Sequence, residues 1–118
     1  MRLATLLFLV STSGLAANWS GFLVDSRCYQ SEQTNVNKNT TTVDRDMNAE
    51  VRYCSPNAKT KAFAVVLDNW DSLGFDAAGN TKAAALVERD GKRSVLKVTV
   101  SGTRNKATIQ VGSVSVDK

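Results

Sequence analysis

The residues of this 118-residue chain that could do chemistry are few, and their spacing limits them further. Asp25 and Ser26 stand just before Cys28. An aspartate beside a hydroxyl could hold a polar ligand at the end of a strand, but the same pair commonly bonds the backbone of its own turn. Asp68 and Asp71 flank Trp70, as a carboxylate pair around a stacking platform would, or as a solvated turn with a tryptophan folded over the core rim. Between positions 82 and 106 lie Lys82, Arg89, Lys92, Arg93, Lys97, Arg104 and Lys106, opposed by Glu88 and Asp90 alone. They could present a basic face to an anionic glycan or lipid head group, or serve as a solvated, solubilising surface. No cluster of aromatics interleaves with them, which argues against nucleic acid.

The chain has no histidine. Ser-His-Asp and Cys-His nucleophile arrangements are therefore impossible, and so are histidine-rich zinc sites. Cys28 and Cys54, the two cysteines, match no recurrent zinc spacing, and no Cys-x-x-Cys pair exists to tune a thiol. No catalytic residue, metal or cofactor is expected. The candidate binding residues are Asp25, Ser26, Trp70, Arg93, Lys97 and Arg104. An enzyme would regain ground if Asp25, Lys61 and Asp68 were found in one cleft.

The compartment follows from the first seventeen residues. Arg2 supplies a positive start, Leu3 to Val10 an apolar run, and Gly14-Leu15-Ala16-Ala17 a small-residue cleavage site, the pattern of a secretory signal peptide. The run is about half of the roughly 20 residues that span a bilayer. The remaining residues, 18–118, are expected to form a single exported domain, periplasmic or extracellular, with no transmembrane segment. Losing Arg2 takes the formal charge from +4 to +3, too mild by itself to imply a polyanionic partner. In an oxidising compartment Cys28 and Cys54 read as one disulfide.

Hydrophobic periodicity supplies the elements that position these groups. Trp19 to Val24 alternates as a first strand, with Gly21 suggesting close approach of another backbone. Tyr29 to Thr42 is polar and reads as an exposed, mobile loop. Met47, Val51 and Cys54 then fall at helical spacing, predicting a short helix from Val43 to Cys54 with Asp44 or Asp46 in its first turn and Pro56 as its stop. Phe63 to Leu67 reads as a strand buried on both faces, Asn69-Trp70-Asp71 as its turn, and Ser72 to Asp76 as a third strand ended by Ala77-Ala78-Gly79-Asn80. Thr81 to Arg89 predicts a helix capped by Asn80 or Thr81 and stopped by Gly91. Val95 to Ser101 and Ala107 to Val116 predict two last strands, joined at Arg104-Asn105-Lys106, with a bulge at Gly112 where the apolar parity switches.

The expected fold is thus mainly β: strands in the order β-β-β-α-β-β, with a disulfide-held loop and helix between the first two. This is the order of a five-stranded OB-like barrel, and also of an open five-stranded sheet packed on one helix. Gly21 to Cys28, Tyr53-Cys54-Ser55-Pro56 leading into Phe63-Ala64-Val65-Val66, Phe75 to Asn80, and Leu96 to Gly102 with Ile109-Gln110-Val111 resemble a family of small exported bacterial proteins, common in acidobacteria, built on a domain of unknown function. The resemblance implies a secreted or periplasmic barrel with paired cysteines and no assigned activity. The Asn- and Thr-rich stretch departs from it in being longer. The functions to weigh are a noncatalytic module binding glycan, lipid head group or protein, and an envelope structural or stress-related protein without a small ligand.

Overall fold

The computed structural model describes residues 16–39, 47–91 and 95–117. Most of the expected signal peptide, residues 1–15, lies outside them, as do Asp44, Asp46 and Arg93. The elements are β1 (Ala17–Asp25), α1 (Ser26–Asn39), α2 (Met47–Tyr53), β2 (Phe63–Val66), β3 (Ser72–Phe75), α3 (Ala77–Asp90), β4 (Lys97–Asn105) and β5 (Thr108–Val116).

The strands form one sheet in the order β1-β2-β3-β5-β4, and β4 pairs back with β1. All ladders are antiparallel except β3 with β5, which is parallel and two residue pairs long. The inner face carries Leu23, Phe63, Val65, Leu73, Phe75, Leu96, Val98, Val100, Ile109 and Val111, and α3 adds Ala83, Leu86 and Val87 to the same core. Period-2 alternation put Leu96, Val98 and Val100 on one face, and all three are buried.

A second core lies on the opposite face of β1 and β2. Val24, Ala64 and Val66 are buried there under Tyr29 of α1, Val51 of α2 and Cys54, with Phe22 and Met47 at the margin. This is why β2 is buried at every position. Cys28 and Cys54 are joined in a disulfide, with Cα atoms 5.4 Å apart and a sequence separation of 26. It fastens the start of α1 to the end of α2.

Polar composition misled the reading of Tyr29 to Thr42 as an exposed loop. Through Asn39 the chain is α1, and three local facts account for it. Asp25 caps the helix, its Oδ1 accepting from the Cys28 N–H at 3.1 Å. Tyr29 is 1 % exposed and anchors the first turn in the second core. The disulfide holds the same turn from Cys28.

The next helix begins at Met47, so the part of the expectation from Val43 to Asp46 falls outside the described residues. Ala77 to Asn80 is not a turn but the first turn of α3, whose cap is Asp76 rather than Asn80 or Thr81. Gly79 is buried there because a Cβ would overlap the Val111 side chain, so the helix can lie close against β5. Asn80 points back to the sheet, its Oδ1 accepting from the Phe63 N–H at 3.0 Å.

Gly21 meets its expected role: a Cβ there would run into the Val66 carbonyl, where β1 and β2 cross closely. The Gly112 bulge is also present, since Ser101 pairs with Ser113 but Gly102 with Val111. The last hairpin turns one residue later than expected. Arg104 and Asn105 belong to β4, Asn105 pairs with Thr108, and Lys106 with Ala107 makes the connection. Lys106 has φ 60°, a left-handed conformation that disfavours a side chain. Lys106→Gly is therefore expected to raise stability by about 1 kcal/mol, read as a later urea midpoint with an unchanged slope.

Candidate functional site

Of the six candidate binding residues Arg93 lies outside the described residues, and the other five do not gather at one place. Asp25 is occupied structurally: besides capping α1, its Oδ2 accepts from the Thr60 hydroxyl at 2.9 Å, and that hydroxyl accepts from the Asn57 N–H at 3.0 Å. Ser26 is the first residue of α1 and its N–H donates to the Ala62 carbonyl. The pair bonds its own surroundings rather than forming a polar corner. Arg104 lies near the tip of the β4–β5 hairpin, its Nε donating to the Lys106 carbonyl. Lys97 opens the same strand at its other end, so these two basic residues stand apart along β4.

Asp25 pairs with Phe63 at the start of β2, whereas Asp68 follows its end, so Asp25 and Asp68, two of the three residues whose meeting in one cleft would favour an enzyme, lie apart along the strand. Among the described residues no three metal-ligating side chains gather, and no helix is long and apolar enough to cross a membrane.

Two hollows stand out among the described residues. One, about 530 Å³, runs between α3 and the turn at Asn57 to Thr60, walled by Ala58, Ala84, Val87 and Glu88. Its walls are mostly short aliphatic side chains, and among the described residues Glu88 is their one charge. The smaller, about 330 Å³, is a notch between the first half of β1 and the chain leaving β2. Asn18, Trp19 and Ser20 line one side, Leu67 and Asp68 the other, and Lys97 closes one end. An aromatic ring, an amide and both signs of charge line this small space. Trp19 and Leu67 are half-buried and rest on the inner core, which fixes the floor.

The notch exists because the strands differ in length. β1 pairs with β4 from Ala17 to Phe22, but with β2 only from Phe22 to Asp25. Past Val66 the chain turns away: the Leu67 N–H donates to the Asp71 carbonyl at 2.8 Å and the Trp70 N–H to the Leu67 carbonyl at 3.0 Å.

Trp70 sits in that turn with φ 76°, in a conformation where glycine costs nothing and a tryptophan is strained. Its ring is half-buried, between the two readings of platform and rim cover. The Tyr29 hydroxyl donates to its carbonyl at 3.1 Å, so α1 helps hold the strained residue in place. Strain of this kind persists only where the surroundings over-determine it.

No protein-family model, curated protein or solved structure matches this chain. Assignment therefore rests on the site itself.

Asn18, Trp19 and Ser20 went unnoticed in the sequence as binding residues: Trp19 and Ser20 read as strand, and Asn18-Trp19-Ser20 matches a glycosylation sequon that has meaning only in a eukaryotic host. The outward hydroxyls of the neighbouring face are less informative. Ser20 bonds Thr99 at 3.1 Å, Thr99 donates to Asp117 at 2.7 Å, and Ser101 bonds Ser113 at 2.6 Å, so they satisfy one another across the strands.

Proposed function

We propose that the protein is a noncatalytic binding module, exported from the cytoplasm, built on an OB-like five-stranded barrel and taking its ligand at the notch beside β1. The cyclic strand order and the parallel meeting of β3 with β5 support the barrel reading. The disulfide is compatible with an oxidising compartment, and the resemblance to small exported bacterial proteins belongs to the same reading.

One observation carries the choice of site. OB-folds bind oligonucleotides and oligosaccharides on the face around strands two and three, with the loop between the first two strands. Here that loop is the α1–α2 excursion, and it is packed down onto the outer face of β1 and β2. The notch is the open surface with convergent polar groups that remains beside it. An assembly protein without a ligand would favour a broad apolar patch. Among the described residues Tyr53, 72 % exposed, is the one large exposed hydrophobic side chain.

The test is a screen of the protein against a glycan array, anionic phospholipid vesicles and peptide libraries, repeated with Asp68→Ala and Lys97→Ala. Both side chains are exposed, so the variants are expected to unfold at the same urea concentration as the parent. A ligand of the notch loses affinity in at least one variant. Unchanged affinity in both would move the site elsewhere, and blank screens would remove the binding role.

A further inference from the structure

We propose that the ligand of the notch is an extended polypeptide segment of a partner protein, which adds to the sheet as a strand alongside the first half of β1. This deepens the reading of the notch as a binding site and rests on it.

The direction of the β1 backbone decides what faces the notch. The Leu23 N–H donates to the Leu96 carbonyl at 2.8 Å, so Leu23 turns its peptide groups toward the β4 side. Alternation along a strand then turns those of Trp19 and Gly21 the same way, and those of Asn18, Ser20, Phe22 and Val24 the other way. For Phe22 and Val24 that other side is filled by Val66 and Ala64 of β2. For Asn18 and Ser20 it is the notch, because β2 has ended. Among the described residues no backbone partner meets their N–H and C=O groups on that side.

Two N–H and C=O pairs thus face the notch at the repeat of alternate strand residues, about 7 Å apart. A polypeptide in extended form carries complementary groups at the same repeat, which a sugar ring or a head group does not. The notch is walled on its far side by Leu67 and Asp68, so a guest strand would lie between β1 and this turn.

The composition of this edge is consistent with an accepting strand. Exposed edges are normally blunted by charges, prolines or bulges. Ala17-Asn18-Trp19-Ser20-Gly21 contains none of these, whereas β5, which pairs with β3 only at Thr108 and Ile109, carries the Gly112 bulge. On the floor, Trp19 and Leu67 offer apolar contact to one inward-facing side chain of the guest. Asp68 and Lys97 stand at the margins for its polar neighbours.

The experiment is a titration of the 15N-labelled protein with a capped peptide alternating valine and threonine, followed by NMR shifts and amide exchange. The expected result is slowed exchange at Asn18 and Ser20, with shifts at Trp19 and Asp68. N-methylating the peptide at the residues that face β1 should weaken binding roughly tenfold per hydrogen bond lost. Ser20→Pro, which removes one edge donor at a position where proline is tolerated, should weaken it similarly.

Four outcomes overturn the proposal. If the N-methylated peptide binds as well as the parent peptide, backbone pairing is not the mode. If protection of Asn18 and Ser20 rises with protein concentration alone, the occupant is a second copy. If glycans or vesicles shift the notch amides while peptides at saturating concentration do not, the strand addition fails and the binding site stands. If none of the three probes perturbs the notch, the site itself fails with it.

Discussion

Replacing Cys28 and Cys54 together by alanine is expected to lower the unfolding free energy by about 3.5 kcal/mol. The disulfide closes a loop spanning 26 residues, and the chain-entropy model assigns a loop of this length roughly that value through the unfolded state. For a domain of this size the loss corresponds to a fall in Tm of about 15 to 25 °C. The effect has a location as well as a size. Cys54 is 1 % exposed and belongs to the second core, so α1 and α2 lose both their tether and some packing. Hydrogen exchange should therefore accelerate most in α1 and α2, and less at Val98 and Val100 of the inner core. Urea unfolding of the double variant checks the magnitude. A loss below about 1 kcal/mol would mean that Tyr29 and Val51 hold the excursion without the covalent link, against the expected range for native disulfides.

Asp76→Ala should cost about 3 kcal/mol, for a reason that burial alone would not reveal. A single carboxylate oxygen, Oδ1, accepts from the Gly79 N–H at 2.9 Å and from the Val111 N–H at 3.1 Å. The first bond caps α3 and the second closes a gap in the edge of β5 just past the short parallel ladder. Losing a cap costs about 1 kcal/mol, and leaving a buried donor unmade adds roughly 1 to 3 kcal/mol. Asp76→Asn keeps an acceptor at Oδ1 and should lose less than half as much. The two variants, unfolded side by side in urea with amide exchange followed at Val111, separate the lost bonds from the lost charge. Equal destabilisation would assign the effect to charge.

Legibility of the sequence followed burial on one face or two. β4 and β5 bury one face, and their alternation and the parity switch at Gly112 located both the strands and the bulge. β1 and β2 bury both faces at their shared ladder; the run from Phe63 announced a doubly covered strand without saying what covered it, whereas Trp19 to Val24 read as an alternating strand and its second covered face was missed. The covering helix was hidden because its hold on the body comes from one buried tyrosine, one capping aspartate and one disulfide rather than from an apolar stripe. Asp76 was assigned to the end of a strand for a similar reason: a capping residue is known by the backbone it meets.

Of the site, Trp70 was found by type and Lys97 by charge, but neither signal gave a location. The notch is defined by where β2 stops relative to β1. That is a relation between distant segments, and no local pattern encodes it.

The pairing of β1 with β4 sets the timing of assembly. Ser20 meets Thr99 at a sequence separation of 79, and β4 ends only at Asn105. A chain emerging from its N-terminus can make the β2–β3 hairpin and even dock α1 and α2. It leaves the first half of β1 with no neighbour on either side until nearly all of it has been released. Such non-local closure predicts folding that is slow for the size of the domain, late and all at once.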